Sequence, residues 1–412
     1  MNIRWLLPLL VVSLLPAQRK RAPRDPAAGR LITEFPVPDV PPLDVAAASQ
    51  KAIEGVLKLQ EDGSQWPYEG VYREDRGLLP VGYRVGGTAI TIMGLVSSPG
   101  YRKHPERVAA VGRGIQFVVE TLEHERMQAG FKGGYDVRGW GHIYALTCFL
   151  HLRDAKLVPD DMADGVAKKT RWLVETLCDS AIPTSGGWNY SRRAGYKSPK
   201  NRASTFMTAP ALQALFHAKA RGYEVPDRVV EEALTSLNRS RTKVGGYAYG
   251  SGPKNLNEVA DADLRFMDLG GSSAARAAVC ETTLMLAGRG DKQRHLKALQ
   301  LFFTHWDDLA VRKSQRGTHI KPYGIAPYYF MFGHLYCAQA IEQVEDAAQR
   351  DKFREQMRQI LARSVDGGGT WNDRQFGRSA GYGTAMALMT AHMPRLPRPH
   401  PWRPGDVQMK GK

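Results

Sequence analysis

The feature that most constrains the fold of this chain is an alternation of two kinds of helical segment, which repeats six times between residues 45 and 391. The first kind has an apolar stripe on a charged surface. Around Val108, Ile115 and Leu122, for example, apolar residues recur at steps of three and four. The second kind, such as GWGHIYALTCFLHL, is apolar on more than one side and rich in small residues. A helix buries the sides that are apolar, so the pattern predicts an outer set and an inner set of helices.

The two sets alternate along the chain. Outer helices are predicted at residues 45–59, 106–122, 162–178, 226–238, 292–309 and 350–363. Inner helices are predicted in GGTAITIMGL, GWGHIYALTCFLHL, STFMTAPALQALFHA, AARAAVCETTLMLAG, PYYFMFGHLYCAQAI and AGYGTAMALMTA. Pairing each outer helix with the inner helix that follows gives six hairpins. Neighbouring hairpins must stack, because none can cover its own apolar face.

Glycine-rich turns that end in an aromatic residue separate the helices. Gly-Gly pairs precede Tyr135, Trp188 and Tyr247 at intervals of 53 and 59 residues, and a related turn precedes Trp371 after 124 more. The last interval is about double, which predicts a degenerate turn within residues 316–324, and a sixth turn surrounds Trp66. Glycine permits the positive φ that ends a helix, and the aromatic ring can pack back against its hairpin. Six such turns predict an all-α fold, an (α/α)6 toroid of about six hairpins.

The succession of outer helix, Gly-Gly-Trp or Gly-Gly-Tyr turn, irregular stretch and small-residue inner helix resembles the toroid of terpenoid cyclases and protein prenyltransferases. The resemblance covers most of residues 45–391. It is specific for the architecture and only weakly indicates an activity. An open helical solenoid is the alternative architecture. The resemblance also implies a cavity that is bounded by the inner helices and entered near their N-terminal ends.

Candidate site residues are therefore sought just before each inner helix and in its first turns. The candidate ligand-binding residues are Asp136, Arg138, Trp188, Asn189, Tyr190, Arg265, Tyr328 and Asp373. The candidate catalytic residues are Asp261, Asp263, His142 and Tyr323. Loops on a rigid scaffold often carry sites, although the same residue types also cap helices.

Asp261-Ala262-Asp263-Leu264 resembles the Asp-x-Asp-Asp acid motif of squalene-type cyclases but lacks its last aspartate. A carboxylic acid that protonates an alkene must be tuned by its neighbours, so the loss argues against cyclisation; Asp263 is the proton donor if it occurs. The prenyltransferase zinc site is matched only by Cys280 and His334 on successive inner helices, without the Asp-x-Cys pair. We therefore expect neither a metal nor a cofactor.

Other α/α toroids cleave polysaccharides outside the cell, using Asn or His to neutralise a uronate and Tyr or His as base and acid. Asn189, His142, Tyr190, Tyr323 and Tyr328 could furnish such a groove. The formal net charge of +16 would suit an acidic glycan.

The two chain ends differ in composition from the repeat. Residues 1–17 contain an apolar run followed by Pro16 and Ala17, typical of a signal peptide, with an interfacial anchor as the alternative. Residues 18–42 form a Pro/Arg-rich linker, 43–393 the toroid and 394–412 a Pro/Arg-rich tail. The basic ends predict solvated arms or contact with an anionic membrane surface, and no nucleic-acid motif accompanies them. The four cysteines form no CxxC pair and are predicted to pack as small apolar residues.

These features predict an exported protein of the periplasm or cell envelope. We expect a non-catalytic ligand-binding or scaffold protein with an apolar, peptide or glycan ligand in the ring cavity. A polysaccharide lyase or hydrolase acting on an acidic glycan is one alternative. A divergent terpenoid-cyclase-like enzyme is the other.

Overall fold

Thirteen α-helices and no β-strand make up the described part of the chain. The computed structural model describes residues 41–70, 73, 77–131, 137–183, 185–189, 202–252, 254–260, 263–264, 270–313, 329–373 and 376–405. The outer helices are α1 (Val45–Lys58), α3 (Pro105–Thr121), α5 (Ala163–Ser180), α7 (Asp227–Arg239), α9 (Lys292–Thr304), the short α10 (Trp306–Lys313) and α12 (Ala347–Ser364). The inner helices are α2 (Val81–Ser97), α4 (Arg138–Asp154), α6 (Thr205–Ala220), α8 (Gly270–Leu286), α11 (Tyr329–Ile341) and α13 (Ser379–His392). The prediction of two alternating helix sets is confirmed.

The outer helices bury one face because their sequences are amphipathic. In α7 the buried residues include Val230, Leu234 and Leu237, which share one side of the helix. Side-chain caps fix where such helices begin. Asp44 and Asp346 accept backbone N–H groups in the first turns of α1 and α12.

The inner helices are buried on all sides and approach one another through small residues. From Val81 to Val96, every residue of α2 except Arg84 is buried. A Cβ atom added at Gly94 of α2 would lie only 2.6 Å from Ala385 Cα of α13. Small residues therefore set the spacing between neighbouring inner helices.

The inner helices close into a ring. They pack in the order α2, α4, α6, α8, α11 and α13, and α13 packs back against α2. The ends of an open solenoid do not meet in this way. The predicted toroid is confirmed, and α4 and α11 lie on opposite sides of the ring.

The pairing of helices within the hairpins differs from the prediction. Each outer helix packs mainly against the inner helix before it: α3 against α2, α5 against α4, and α9 against α8. In the same way, α1 packs against α13. The link from α2 to α3 is short, at residues 98–104, whereas the link from α5 to α6 is long, at residues 181–204. Because short links hold helices side by side, the predicted pairing with the following inner helix is wrong.

Three tryptophans in the turns after outer helices share one hydrogen-bonding pattern. The indole Nε1–H of Trp66, Trp188 and Trp371 donates to a carbonyl in the last turns of the preceding outer helix, at 2.8, 2.8 and 3.1 Å. Their backbone N–H groups donate to a threonine Oγ1 of the next inner helix, at 2.9, 3.1 and 2.9 Å. The acceptor pairs are Val56 with Thr88, Leu177 with Thr208, and Leu361 with Thr384. The predicted packing of turn aromatics is confirmed here. Each tryptophan also adds a hydrogen bond to a carbonyl near a helix end, which accepts a second one from Leu59 N, Ser180 Oγ or Ser364 Oγ, respectively.

Glycine is required beside two of these tryptophans. Gly187 has a φ of 74°, and a Cβ atom there would lie 2.6 Å from Thr208 Oγ1. Gly369 has a φ of 76°. The turn before Tyr135 and the predicted turn at residues 316–324 lie outside the described residues.

Two helix boundaries differ from the sequence prediction. Helix α2 begins at Val81, before the predicted start at Gly86. The predicted helix 292–309 is divided at His305 into α9 and α10. There the His305 imidazole pairs with Asp308 in the first turn of α10, with 3.0 Å between Nδ1 and Oδ2.

The C-terminal segment packs against the ring over its described length. Trp402 is buried, and its backbone N–H donates to Leu286 O at 2.8 Å. Its ring centroid lies 5.4 Å from that of Phe216, and Gly405 N–H donates to Asp227 Oδ2 at 2.9 Å. The arginines of residues 394–405 are exposed, as a solvated arm predicts, but the buried Trp402 holds the segment on α6 and α8. Residues 1–40 and 406–412 lie outside the described residues, so the signal peptide stays a prediction.

Within the described ranges, no helix is long and apolar enough to cross a membrane. The four cysteines are free thiols. Cys148, Cys280 and Cys337 are buried and Cys178 is half-buried, which confirms their predicted packing role.

Candidate functional site

Aromatic side chains converge at the N-terminal ends of the inner helices. Tyr83, Trp140 and Tyr382 lie in the first turns of α2, α4 and α13, and Tyr68 comes from the loop before α2. The ring centroid of Tyr68 lies 4.6 Å from Tyr382, 5.3 Å from Tyr83 and 5.6 Å from Trp140. Glycine makes room for this packing, since a Cβ atom at Gly86 would lie 2.4 Å from the Trp140 ring. The four rings therefore form one contiguous group.

A second group of rings comes from another part of the ring. The centroid of Phe206 in α6 lies 5.1 Å from Tyr329 and 4.5 Å from Phe332, both in α11. The buried guanidinium of Arg276 in α8 lies 4.9 Å from the Tyr329 centroid, a cation–π geometry. Arg276 also donates to Tyr247 O at 2.9 Å, which holds its positive charge beside the aromatic group.

Tyr144 and Tyr336 connect the two groups. Tyr144 lies 5.2 Å from Trp140, and Tyr336 lies 4.6 Å from Phe332, measured between centroids. The hydroxyl oxygens of Tyr144 and Tyr336 are 3.5 Å apart. Because α4 and α11 are opposite each other, this contact crosses the centre of the ring.

Both bridging phenols are neutral at physiological pH, because burial raises the pKa of Tyr144 and of Tyr336 well above the usual value. The inner aromatic cluster, as we name it, consists of Tyr68, Tyr83, Trp140, Tyr144, Phe206, Tyr329, Phe332, Tyr336 and Tyr382. Its most exposed member is Tyr83, with 8% of its surface accessible. The rings are packed against one another at the N-terminal end of the ring of inner helices.

His142 and Arg138 of α4 hold the segment that precedes this helix. His142 is fully buried, with Nε2 3.0 Å from Met127 O and its ring edge-on to Trp172 of α5. Burial, together with the Arg138 charge, lowers the pKa of His142 to about 3. Arg138 is buried and donates to Phe131 O at 2.9 Å. His142 therefore points toward an outer helix, a position that does not favour its predicted catalytic role.

Trp188 and Asn189 lie together after α5. The Trp188 indole N–H donates to Leu177 O, and Asn189 Nδ2–H donates to Arg202 O at 2.6 Å. These contacts stabilise the turn. A ligand-binding role for either residue stays a prediction.

Asp263 and Asp373 have contrasting environments. Asp263 is exposed, so its carboxyl group lacks the enclosed surroundings that protonation of an alkene requires. Asp373 is fully buried in the segment before α13, at the same end of the ring as the inner aromatic cluster. The other predicted site residues lie outside the described residues: Asp136, Tyr190, Asp261, Arg265, Tyr323 and Tyr328.

Cys280 and His334 do not offer a zinc pair. His334 Nε2 accepts the Trp306 indole N–H at 2.8 Å, and His334 Nδ1–H donates to Phe330 O at 2.7 Å. Both imidazole nitrogens are therefore occupied. Burial raises the pKa of the Cys280 thiol, which opposes the thiolate that zinc requires.

Asp154, His217 and His400 are close enough together to hold a metal ion. Asp154 Oδ2 already accepts from His217 Nε2 at 2.8 Å and from Arg221 at 2.6 Å. The Arg221 guanidinium neutralises the carboxylate that a cation would need. The ring centroids of His217 and His400 are 4.5 Å apart, so this group also fastens the C-terminal segment to α6.

None of the inner aromatic cluster was predicted as a site from the sequence. A signal was present, because five of the six inner helices carry an aromatic residue within their first four positions. These residues are Tyr83, Trp140, Phe206, Tyr329 and Tyr382. Small residues flank most of them, which permits the close approach of neighbouring helices.

The closed ring with aromatic residues at one end defines the chain as an α/α toroid. The solved structures that resemble it include a GH76A alpha-1,6-mannanase of Salegentibacter sp., at 12% identity and TM-score 0.51, covering 85% of this chain and 99% of that one. A cellobiose 2-epimerase from Bacillus thermoamylovorans matches at 11% identity and TM-score 0.52, with the same coverage. A type II terpene cyclase from Scytonema matches at 12% identity and TM-score 0.49, covering 85% of this chain and 98% of that one. The first two likenesses show the fold and agree with the toroid predicted from the repeat. No protein-family model and no curated protein matches the sequence.

Proposed function

We propose that the protein is an exported, non-catalytic toroid that binds a glycan at the inner aromatic cluster. The observation that carries the proposal is the convergence of rings from five inner helices at the N-terminal end of the ring. Ligand sites are commonly apolar and aromatic with a few placed polar groups. The phenol hydroxyls and the Arg276 guanidinium are such polar groups, and they suit the hydroxyls of a sugar more than a wholly apolar ligand.

The positions of neighbouring aspartates support binding over cleavage. The mannanase is described as inactive when two adjacent aspartates are replaced. Adjacent aspartates in this chain occur at Asp160–Asp161, just before α5, and at Asp307–Asp308 in α10. Neither pair is on an inner helix, so neither supplies an acid pair of that kind at the inner aromatic cluster.

Calorimetric titration with alpha-1,6-mannotetraose and with an oligogalacturonate tests the proposal, with farnesol as an apolar probe. We expect a saccharide to bind and to be recovered intact. Tyr83→Ala should weaken that binding by about two- to tenfold, because a stacking ring contributes about 0.5–1.5 kcal/mol. Trp172→Phe on the outer helix α5 is the matched control and should bind as the wild type does. Binding of farnesol alone, or equal losses in both variants, would contradict the proposal.

A glycan hydrolase is the second candidate, favoured by the buried carboxyl of Asp373 at the same end of the ring. Asp373→Asn preserves the side-chain shape and separates the two functions. Loss of saccharide cleavage with retained binding would establish the hydrolase. Saccharide that the wild-type protein leaves intact favours the binding protein.

Contact of the basic termini with an anionic membrane surface is also part of the proposal. Export rests on the apolar run in residues 1–17. Mass spectrometry of the N-terminus of the protein from its native cell tests it. A mature chain that begins near residue 18 is expected. A chain that retains its first residues and stays in the cytoplasm would contradict export.

A further inference from the structure

A cavity of about 800 Å³ lies at the end of the ring opposite the inner aromatic cluster. It is bounded by the C-terminal ends of α2 and α13 and by the N-terminal parts of α1 and α3. This volume is within the range of small-molecule sites. The residues that carry the argument are Ser49, Glu54, Lys103, Arg107, His392 and Arg395.

The walls of this basic cavity carry an excess of positive charge. Lys103, Arg107, Arg358 and Arg395 line it, against the single carboxylate of Glu54. Arg358 is paired with Glu355 at 2.5 Å. Lys103 and Arg395 are exposed and form no ion pair with any described residue. The cavity therefore has unneutralised cations available for an anion.

Among these cations, Arg107 gives the strongest evidence for a bound anion, because only 1% of its surface is exposed. Its terminal nitrogen donates to Ser98 O and Pro99 O at 3.2 and 3.0 Å, and its guanidinium lies 5.4 Å from the Tyr101 ring centroid. Its buried Nε–H has no hydrogen-bond partner in the described part of the chain. A buried charge without a counter-ion is costly, and an anion in the cavity would offset that cost.

Neutral hydrogen-bonding groups complete the wall. His392 Nε2 and Ser49 Oγ are 2.9 Å apart at the edge of the cavity. Burial and the charges of Arg395 and Arg107 lower the pKa of His392 to about 4, so its imidazole is neutral near pH 7. The positive end of the α3 dipole adds to the potential, since His104 and Arg107 stand at the start of that 17-residue helix.

We propose that the basic cavity binds a phosphate-bearing solute, with the phosphate dianion held by Arg107, Lys103 and Arg395. A phosphate group offers several acceptor oxygens, which suits a guanidinium and an ammonium on different walls. The site is separate from the inner aromatic cluster. The phosphate proposal therefore does not depend on the glycan proposal.

Calorimetry with inorganic phosphate and with glycerol phosphate tests the proposal on the full chain. The double variant Lys103→Ala/Arg395→Ala should weaken phosphate binding by about tenfold or more, because it removes two positively charged hydrogen-bond donors from the cavity wall. Both side chains are exposed, so folding should be unaffected. Arg107→Lys, which keeps the charge without the guanidinium fork, should also weaken binding.

Arg228→Ala/Lys292→Ala is the matched control, because it removes the same charge from exposed positions on α7 and α9. It should bind phosphate as the wild type does. Vesicles with and without phosphatidic acid distinguish a lipid headgroup from a free solute. A phosphate site is supported if the wild type binds the free phosphates or the phosphatidic acid vesicles, the cavity variant loses this binding and the control variant keeps it. Equal losses in both double variants, or no binding in either arm, would overturn it.

Discussion

Trp188 and Trp402 are both buried, but their indole N–H groups meet different surroundings. Trp188 Nε1–H donates to Leu177 O at the end of α5, at 2.8 Å. Trp402 Nε1 is buried without a hydrogen-bond partner among the described residues. The first side chain therefore contributes an indole hydrogen bond in addition to apolar burial. The second contributes burial and ring contacts with Phe216 and Lys219, without an indole hydrogen bond.

Replacing each tryptophan by phenylalanine should separate these two contributions. Trp188→Phe removes the indole hydrogen bond to Leu177 O, which keeps its bond from Ser180 Oγ, and should lower the free energy of unfolding by about 0.5–1.5 kcal/mol more than Trp402→Phe does. Both changes remove a similar volume, so the difference isolates the hydrogen bond. Urea unfolding followed by circular dichroism measures it. Equal losses would show that the indole bond contributes nothing to stability.

At the scale of elements, the contact between α2 and α13 closes the ring. Gly94 lies against the backbone of Ala385, so there is no room for a larger side chain. Gly112, in the outer helix α3, has open space around the position of a Cβ atom. The same residue type is thus required at one helix and merely tolerated at another.

Alanine at the two glycines should change stability in opposite directions. Gly94→Ala forces two inner helices apart and should cost about 1–3 kcal/mol of unfolding free energy. Gly112→Ala should raise it by up to about 1 kcal/mol, because alanine favours the helix. Thermal unfolding of both variants provides the check. Stabilisation by Gly94→Ala would show that α2 and α13 do not pack as described.

At the scale of the whole molecule, burial keeps several histidines neutral. Burial lowers the pKa of His142 to about 3 and the pKa of His295 and His334 to about 4. Each is held by a hydrogen bond, such as the 3.2 Å contact between His295 Nε2 and Thr282 Oγ1. Protonation of these imidazoles would put charges between the two helix rings.

Stability should therefore fall as the pH is lowered from about 6.5 to about 4, since histidines titrate near 6.5 in the unfolded chain. In that window the unfolded chain binds more protons than the folded one, so acid favours unfolding. His334 alone should contribute up to about 3 kcal/mol to the change. Urea unfolding at pH 7.5 and pH 4.5 measures it, and His334→Gln should show a smaller pH dependence. An unchanged dependence in this variant would contradict the role of His334.

The sequence by itself determined the two helix sets, their alternation and the ring. These follow from local periodicity and from turn residues such as Gly187 and Trp188, whose conformations depend on neighbours in the chain. It also predicts a site near the N-terminal ends of the inner helices. It did not identify the residues of the inner aromatic cluster.

Only the tertiary structure decided which side chains meet, because ring closure joins residues that are remote in sequence. Tyr144 and Tyr336 touch across the centre of the ring, and Arg107 and Arg395 line one cavity. The docking of Trp402 on Phe216 likewise depends on the direction in which the chain continues after the last helix. Periodicity records that a helix face is buried, but it does not record what that face contacts. The fold was therefore predictable, while the aromatic cluster, the basic cavity and the packed C-terminal segment were not.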